Sequence, residues 1–180
     1  TGFAQSAYKT LDKNNTSVTI ANGGSFFSIN SPGTPYLVPK PEAGSSKSTS
    51  SIFAGSIWVG ALDENNSLHL AAMLYGQRGS DYTYGPSSEI SQTKYDRIWK
   101  VTRSQIEAHI ANPTHPIDAI LTWPGNGNTN NNEPAQLAPY HDINKNGIYE
   151  PKLGDYPSIK GEVAAYCIYN DNKNHTESGG

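Results

Sequence analysis

Residues 51–76 read SIFAGSIWVGALDENNSLHLAAMLYG, which is the clearest structural signal in the chain. Two apolar runs, 52–62 and 68–75, are separated by the polar pentapeptide Asp63-Glu64-Asn65-Asn66-Ser67. Apolar runs of strand length on either side of a short polar loop predict a β-hairpin. Because both faces of these runs carry apolar residues, we expect a hairpin that is covered on both sides.

Shorter strand signals lie on either side of this hairpin. Residues 17–27 alternate between polar and apolar types, and Asn22-Gly23-Gly24 interrupts them with residues that tolerate positive φ, which predicts a hairpin or a bulged strand. Prolines bound residues 34–40 and restrict them to an edge strand. Residues 163–169 form an apolar and aromatic run that predicts a buried strand, in which Cys167 is a small buried side chain.

One stretch favours a helix. Within residues 93–111, four apolar side chains fall close to a 3.6-residue spacing: Ile98, Val101, Ile106 and Ile110. Ser104 and Glu107 have the spacing of a capping box, so we expect the helix to begin at Ser104 and to end before Pro113.

The composition agrees with turn-rich β structure. Only 16% of the 180 residues are charged, while 17 are glycine and 12 are proline. We therefore predict a mostly-β fold, an antiparallel β-sandwich-like domain with one short helix and long loops. Residues 1–10 are expected to be an N-terminal tail, and residues 11–180 a single β-rich domain that is truncated at its C-terminal end.

Charge and hydropathy argue against two classes of partner. The net charge is −3 and the basic residues form no stripe, so the electrostatic footprint of a nucleic-acid-binding protein is missing. The longest apolar run, residues 57–62, is far shorter than the roughly 20 residues that a membrane-spanning helix needs. We expect neither bound nucleic acid nor a membrane span.

The clearest chemical signal lies in residues 142–155. Residues 142–150 follow the pattern Asp-x-Asn-x-Asn-Gly-x-x-Glu, whose alternating oxygen side chains and glycine let the backbone curl round a hard cation. Calcium suits such oxygens, and we predict a structural Ca²⁺. The predicted ligands are the backbone carbonyl of Ile148 and the side chains of Asp142, Asn144, Asn146, Glu150 and Asp155.

The match to an EF-hand loop is incomplete. Leu153 stands at the twelfth position, where a bidentate glutamate is expected, and the sequence predicts no helices that flank the loop. Asp155 supplies the missing carboxylate if the loop closes differently. The alternative is an ordinary Asn/Gly turn, in which the side chains hydrogen-bond their own backbone.

Catalytic motifs are missing from the sequence. It contains neither His-Glu-x-x-His nor Gly-x-Ser-x-Gly, and neither a phosphate-binding loop nor a dinucleotide-binding glycine fingerprint. We therefore predict no catalytic residue, which favours a non-enzymatic protein. Trp58 and Trp99 are predicted to pack in the core. Trp123 precedes Pro124-Gly125, and we expect it in a loop that is open to a ligand such as a glycan.

Seven blocks of the chain carry a family resemblance: residues 11–15 with 22–24, 51–62, 99–103, 123–127, 142–150, 154–157 and 175–180. In this order they resemble the N-terminal region of large secreted or cell-surface proteins of Bacteroidota, many of which carry a C-terminal sorting domain for type IX secretion. The resemblance implies an extracellular location and a larger protein, and it carries over no catalytic residue. Relatives continue past the last block into further strands and domains.

These features together lead to an expected function. Residues 1–5 are similar to the end of a secretory signal, which favours export. We expect an exported cell-surface structural or adhesive module with a calcium-stabilised loop, a fragment of a larger protein. Its expected partners are other domains or chains of a surface assembly that complete a sheet edge. The alternative is a carbohydrate-binding or hydrolytic portion of a secreted polysaccharide-degrading enzyme.

Overall fold

The computed structural model describes residues 7–28, 36–42, 45, 49–73, 81–87 and 92–171. Its strands are β1 (Tyr8–Leu11), β2 (Ser17–Ala21), β3 (Ser25–Ser28), β4 (Tyr36–Leu37), β5 (Ser50–Ile52), β6 (Ala54–Ser56), β7 (Trp58–Leu62), β8 (Leu68–Ala72), β9 (Thr83–Tyr84), β10 (Trp99–Thr102), β11 (Tyr140–His141), β12 (Tyr156–Pro157), β13 (Val163–Tyr166) and β14 (Tyr169–Asn170). The α-helices are α1 (Gln92–Tyr95), α2 (Arg103–Ala111) and α3 (Asp118–Leu121).

Strands dominate, and each strand pair in the described ranges is antiparallel. The prediction of a mostly-β antiparallel fold is therefore confirmed. The predictions that fall on residues 1–6, 34–35, 74–76 and 172–180 lie outside the described residues.

The chain divides into two compact units. Unit 1 comprises Thr1–Ile98 and Cys167–Gly180, and unit 2 comprises Trp99–Tyr166. Unit 1 contains a sheet of strand order β1-β2-β4-β5 and ribbons that pair β3 with β6, β7 with β8, and β9 with β14. Unit 2 contains two ribbons, β10 with β13 and β11 with β12.

In unit 1, a turn at Asn22-Gly23-Gly24 links β2 to β3. Gly23 and Gly24 have φ of +86° and +90°, a region that glycine adopts without strain. The buried Asn22 side chain donates from Nδ2 to the carbonyl of Tyr95 at 2.8 Å, which fixes the turn to the end of α1. The pairing of β3 with β6 then shifts register between Ser25 and Phe27, as in a bulge. The predicted interruption of this strand is confirmed.

The hairpin of β7 and β8 is also confirmed, with Leu62 opposite Leu68 and residues 63–67 as its loop. The expectation that both of its faces are covered is wrong. Every residue of β7 is exposed, and Trp58, which we predicted to be a core residue, is 64% exposed. The ribbon is buried only at its base, where the Ala72 N–H donates to the Asp81 carboxylate at 2.9 Å. In the part of the chain that the structure describes, β7 and β8 form a sheet of two strands.

In unit 2, strand β10 leads directly into helix α2. Thr102 is extended, and its side chain accepts from the Gln105 N–H while the Gln105 side chain accepts from the Thr102 N–H. This capping box sets the start of the helix at Arg103. The predicted box of Ser104 and Glu107 is therefore wrong, because the sequence pattern did not show that the chain is still a strand at residue 102.

The core of unit 2 lies beneath this strand and helix. Its most buried apolar side chains are Trp99, Val101, Ile106, Ile120, Trp123, Ala138 and Tyr149. The indole N–H of Trp99 donates to the carbonyl of Thr122 at 2.7 Å, and the predicted core position of Trp99 is confirmed. Ile110, the last residue of the predicted helical stripe, is 50% exposed.

Candidate metal-binding loop

The two ends of the segment 142–155 are brought together by a short ribbon. Strands β11 and β12 flank the segment and pair, with His141 opposite Tyr156 and the two rings stacked at 4.6 Å. Before β12, a 3₁₀ turn at Pro151–Leu153 ends in Gly154, whose φ of +113° reverses the chain. The segment is therefore a closed loop.

Asp155 holds this loop from the inside. Its side chain is fully buried, with 0% exposure. One carboxylate oxygen accepts from the backbone N–H of Ile143 at 2.9 Å, and the other accepts from the N–H of Glu150 at 2.7 Å. Both oxygens of this predicted ligand are thus bonded to backbone donors, and Asp155 ties the start of the loop to its end.

The first three predicted ligands shape the turn itself. Asp142 accepts from the N–H of Gly147 at 2.7 Å and from that of Asn146 at 3.3 Å. Asn144 Oδ1 accepts from the same Asn146 N–H at 3.1 Å, and Asn146 Oδ1 accepts from the Ile148 N–H at 2.8 Å. These are the bonds of an Asn/Gly turn. Gly147, at a φ of +79°, lets the chain curl within it.

Glu150 brings the predicted ligands together. Its Oε2 accepts from the side-chain amide of Asn146 at 2.6 Å and from that of Asn144 at 3.3 Å. The side chains of Asn144 and Asn146 are exposed, and those of Asp142 and Glu150 are half-buried. The structure thus gathers four of the six predicted ligands on the open side of the loop, and the backbone N–H of Ile148 donates to one of them, Asn146.

Two residues that the sequence did not suggest support the loop. The Asn126 side chain accepts from the Tyr149 N–H at 2.7 Å and donates to the Tyr149 carbonyl at 3.0 Å. On the other side, His109 of α2 is buried and lies 3.0 Å from the carbonyl oxygen of Asp155 through Nε2. Because a carbonyl only accepts, Nε2 carries the proton.

Two tyrosines pack behind the loop, with Tyr140 and Tyr149 edge to face at 5.2 Å. Burial raises the pKa of Tyr149, and the nearby Asp155 carboxylate raises it further. Burial also raises the pKa of Tyr140, with added repulsion from Asp142 and Asp155. Both phenols are therefore neutral near pH 7 and add no charge to the loop.

The ligand types in the loop differ from those of a carboxylate-rich metal centre. Among the residues that the structure describes, no group of three or more His, Cys, Asp or Glu side chains could hold a metal ion. The loop offers two carboxylates on its open side, and its other oxygens belong to amide side chains and the backbone. Hard cations such as Ca²⁺ accept such oxygens.

Trp123, the predicted ligand-binding residue, is not open to a ligand. Its side chain is 4% exposed, its indole N–H donates to the Pro139 carbonyl at 3.2 Å, and its ring lies 5.2 Å from that of Tyr166. The next residues fold inward as well: a Cβ at Gly125 would lie 2.6 Å from the Cβ of Tyr149. The expectation of an open indole is therefore wrong, because this segment belongs to the core of unit 2.

Cys167 has the environment of a structural cysteine. It is half-buried at the end of β13, and burial raises the pKa of its thiol. A raised pKa lowers the thiolate fraction near pH 7, so this environment does not activate a nucleophile.

None of the helices in the described ranges is long and apolar enough to cross a membrane. Comparisons with protein-family models, with curated proteins and with solved structures find no significant match, so the resemblance to secreted proteins of Bacteroidota stays a prediction.

Proposed function

We propose that this protein is an exported cell-surface structural or adhesive module, part of a larger protein, in which Ca²⁺ stabilises the loop 142–155. One observation supports the metal part of this proposal most directly. The Glu150 carboxylate accepts hydrogen bonds from the side-chain amides of both Asn144 and Asn146, and the Asp142 carboxylate accepts one from the backbone of the same turn. Side chains from the start of the loop and that of Glu150, towards its end, therefore lie close together.

A cation can replace the two hydrogen bonds that the asparagine amides donate to Glu150. Each asparagine Oδ1 accepts one backbone N–H and keeps a second lone pair, so a small rotation of each side chain would turn this oxygen towards a cation beside Glu150 as the amide N–H leaves the carboxylate. The proposed ligands are then Asp142, Asn144, Asn146, Glu150 and the carbonyl of Ile148, and water completes the six to eight oxygens that Ca²⁺ prefers. Asp155 acts as a positioning residue, because its side chain is fully buried and holds the backbone of the loop from the inside, whereas Asp142 is half-buried on the open side.

The proposed affinity fits an extracellular setting. Two carboxylates are few for a calcium site, and the ligands are largely exposed, so we expect a dissociation constant on the order of 0.1–1 mM, the range of extracellular calcium modules. Such a site is filled outside a cell and empty in the cytoplasm. Its role is structural, because the loop lies on the surface of unit 2 and carries no group that is activated for catalysis.

The test of the metal site is the melting temperature of the full chain in 10 mM CaCl₂ and in excess chelator. At this concentration calcium stands at about 10–100 times the expected dissociation constant, and linkage adds roughly 1.4–2.7 kcal/mol. That free energy raises the melting temperature of a chain of this size by about 3–10 °C. Asp142→Ala is expected to abolish the rise, and Mg²⁺ to give little of it.

The matched control is Asp118→Ala, which removes an exposed aspartate of the same unit outside the loop and should keep the full calcium response. No shift in the wild-type chain would overturn the metal site and leave an Asn/Gly turn. Export has a separate test: an external protease should remove the module from intact cells that express the full protein, and protection from the protease would contradict a surface location.

The alternative is a carbohydrate-binding or hydrolytic portion of a polysaccharide-degrading enzyme, and its carbohydrate-binding part depended on an open Trp123. Since Trp123 is buried, that residue gives the alternative no support.

A further inference from the structure

The ribbon of β7 and β8 presents a continuous apolar face. Directly opposite residues of an antiparallel pair point to the same side, so one face carries Trp58, Gly60 and Leu62 of β7 and their partners on β8. Its large side chains are well exposed: Trp58 by 64%, Leu62 by 63%, Leu68 by 70% and Leu70 by 49%. Together they form a patch on the order of 400 Å², which is within the range of the largest apolar patch on a typical monomer, a patch that is often functional.

The register shows which backbone groups of β7 are free. The Asp63 N–H donates to the Ser67 carbonyl, which marks this as a hydrogen-bonded pair of the ladder. The Met73 N–H donates to the Ile57 carbonyl in the same alternation, while the Ile57 N–H donates to the Gly24 carbonyl. Hydrogen-bonded and non-hydrogen-bonded pairs alternate in an antiparallel ribbon. The N–H and C=O groups of residues 58, 60 and 62 therefore point away from β8, and within the described residues no strand pairs with them.

This edge lacks the features that keep an edge strand from pairing. Exposed edges are usually protected by a charged side chain, a proline or a bulge. The sequence Trp58-Val59-Gly60-Ala61-Leu62 has no charge and no proline, and its register with β8 is regular. A two-stranded hairpin is also marginally stable in water until a third strand or another layer covers it.

We propose that the β7 edge pairs antiparallel with the same edge of a second copy of this chain, about a twofold axis at Gly60. Trp58 of each copy then lies opposite Leu62 of the other, and the two Gly60 residues face each other. The backbone N–H and C=O groups of residues 58, 60 and 62 all point away from β8, so each opposite pair of residues can exchange two hydrogen bonds. The result is a four-stranded sheet with one apolar face.

The distribution of charge and side-chain volume favours a second copy as the occupant. Asp63 and Glu64 make the hairpin tip acidic, and antiparallel pairing places the two tips at opposite ends of the joint sheet. Gly60 lies at the proposed axis, so the two copies bring their smallest residue together where their backbones meet. The large neighbours of Trp58 on this face are aliphatic, and they offer no polar group to orient a sugar.

This proposal extends the structural role given above and rests on it for its biological meaning. The two claims fail separately, however, because the ribbon lies in unit 1 and the loop in unit 2. Calcium binding is tested by the melting temperature of Asp142→Ala, and pairing is tested by the association state of β7 variants.

The experiment is sedimentation velocity of the full chain from 1 to 500 μM. We expect a reversible monomer–dimer equilibrium with a dissociation constant on the order of 10–100 μM, since the contact is smaller than a standard interface. Gly60→Pro removes one outward N–H per copy and should weaken association by about tenfold or more, because two hydrogen bonds are lost across the axis. Gly60→Ala is the matched control and should associate like the wild type, because its Cβ meets Leu70 at an ordinary 3.7 Å.

A second variant covers the case in which Gly60→Pro does not fold. Leu62→Lys places a charge beside Trp58 of the other copy and should also shift the equilibrium to monomer, whereas Ala61→Lys, on the opposite face, should not. Circular dichroism confirms that each variant is folded. A wild-type chain that stays monomeric at 500 μM would overturn the proposal, and so would open-ended oligomers or a folded Leu62→Lys variant that pairs as well as the wild type.

Discussion

The backbone N–H of Glu150 donates to the carboxylate of Asp155 at 2.7 Å, and so joins the far end of the candidate calcium loop to a fully buried side chain. The second oxygen of Asp155 holds the near end through Ile143. A single side chain therefore closes the loop at both ends. A bound Ca²⁺ would add to the closure that Asp155 provides from the inside of the loop.

Asp155 should accordingly be the most sensitive residue of the loop. Asp155→Ala empties a fully buried position, leaves the part-buried N–H groups of Ile143 and Glu150 without an acceptor, and should lower the free energy of unfolding by about 2–4 kcal/mol. Asp155→Asn keeps one acceptor oxygen and should lower the free energy of unfolding by about half as much. Urea denaturation in chelator measures both values. The half-buried Asp142 provides the comparison, and a loss as large for Asp142→Ala as for Asp155→Ala would contradict this ranking.

Local pattern predicted the hairpin of β7 and β8, because the two apolar runs of strand length and the polar loop between them all lie within residues 51–76. Burial was harder to predict. Trp58 sits in an apolar run but is exposed, while Trp123 sits beside a Pro-Gly turn but is buried. An aromatic ring is buried by residues from distant parts of the chain, as Tyr166 packs against Trp123. The local sequence does not show which distant residues these are.

The same limit applies to the loop. The spacing of residues 142–150 predicted which side chains gather, because a turn places alternate residues on one side. It could not identify Asn126, which lies 23 residues from its partner Tyr149, or His109, which lies 46 residues from Asp155. The helix start was missed for a related reason: Thr102 becomes the cap only because β10 pairs with β13 and extends to residue 102.

Gly127 should tolerate no side chain. A Cβ at this position would lie 1.8 Å from the carbonyl oxygen of Pro134, a backbone atom that cannot move aside without breaking the Gly127–Ala135 hydrogen bond. Gly127→Ala should therefore destabilise the chain by about 3 kcal/mol or more, as overpacking does in a rigid site. Gly161→Ala is the control, since its Cβ would meet nothing closer than 3.7 Å. Equal melting temperatures for the two variants would contradict the prediction.

The tip of the β7–β8 hairpin should loosen at low pH. Hydrogen bonds from the Ser67 N–H and the His69 side chain hold the pKa of Asp63 below its ordinary value, and the Asn65 N–H adds to this. A lowered pKa in the folded chain means that the carboxylate stabilises the tip above pH 4, and that this contribution is lost as pH falls through the lowered pKa.

Hydrogen exchange and amide chemical shifts of Asn65 and Ser67, followed by NMR from pH 6 to pH 2, measure this loosening. Asp63→Asn should show the low-pH behaviour at every pH. Tip amides that do not respond to pH in the wild-type chain would contradict the role of Asp63.

The three tryptophans should differ sharply in access to a quencher. Trp58 is 64% exposed, whereas Trp99 and Trp123 are each 4% exposed and donate their indole N–H groups to backbone carbonyls within unit 2. Acrylamide should therefore quench one component of the emission efficiently, and Trp58→Phe should remove most of that component and shift the remaining emission to the blue. Measurement at 1 μM keeps the chain below the concentration at which we propose that β7 pairs. If Trp123→Phe removed the quenchable component instead, the indole at 123 would be open after all, and the carbohydrate-binding alternative would regain the residue on which it depended.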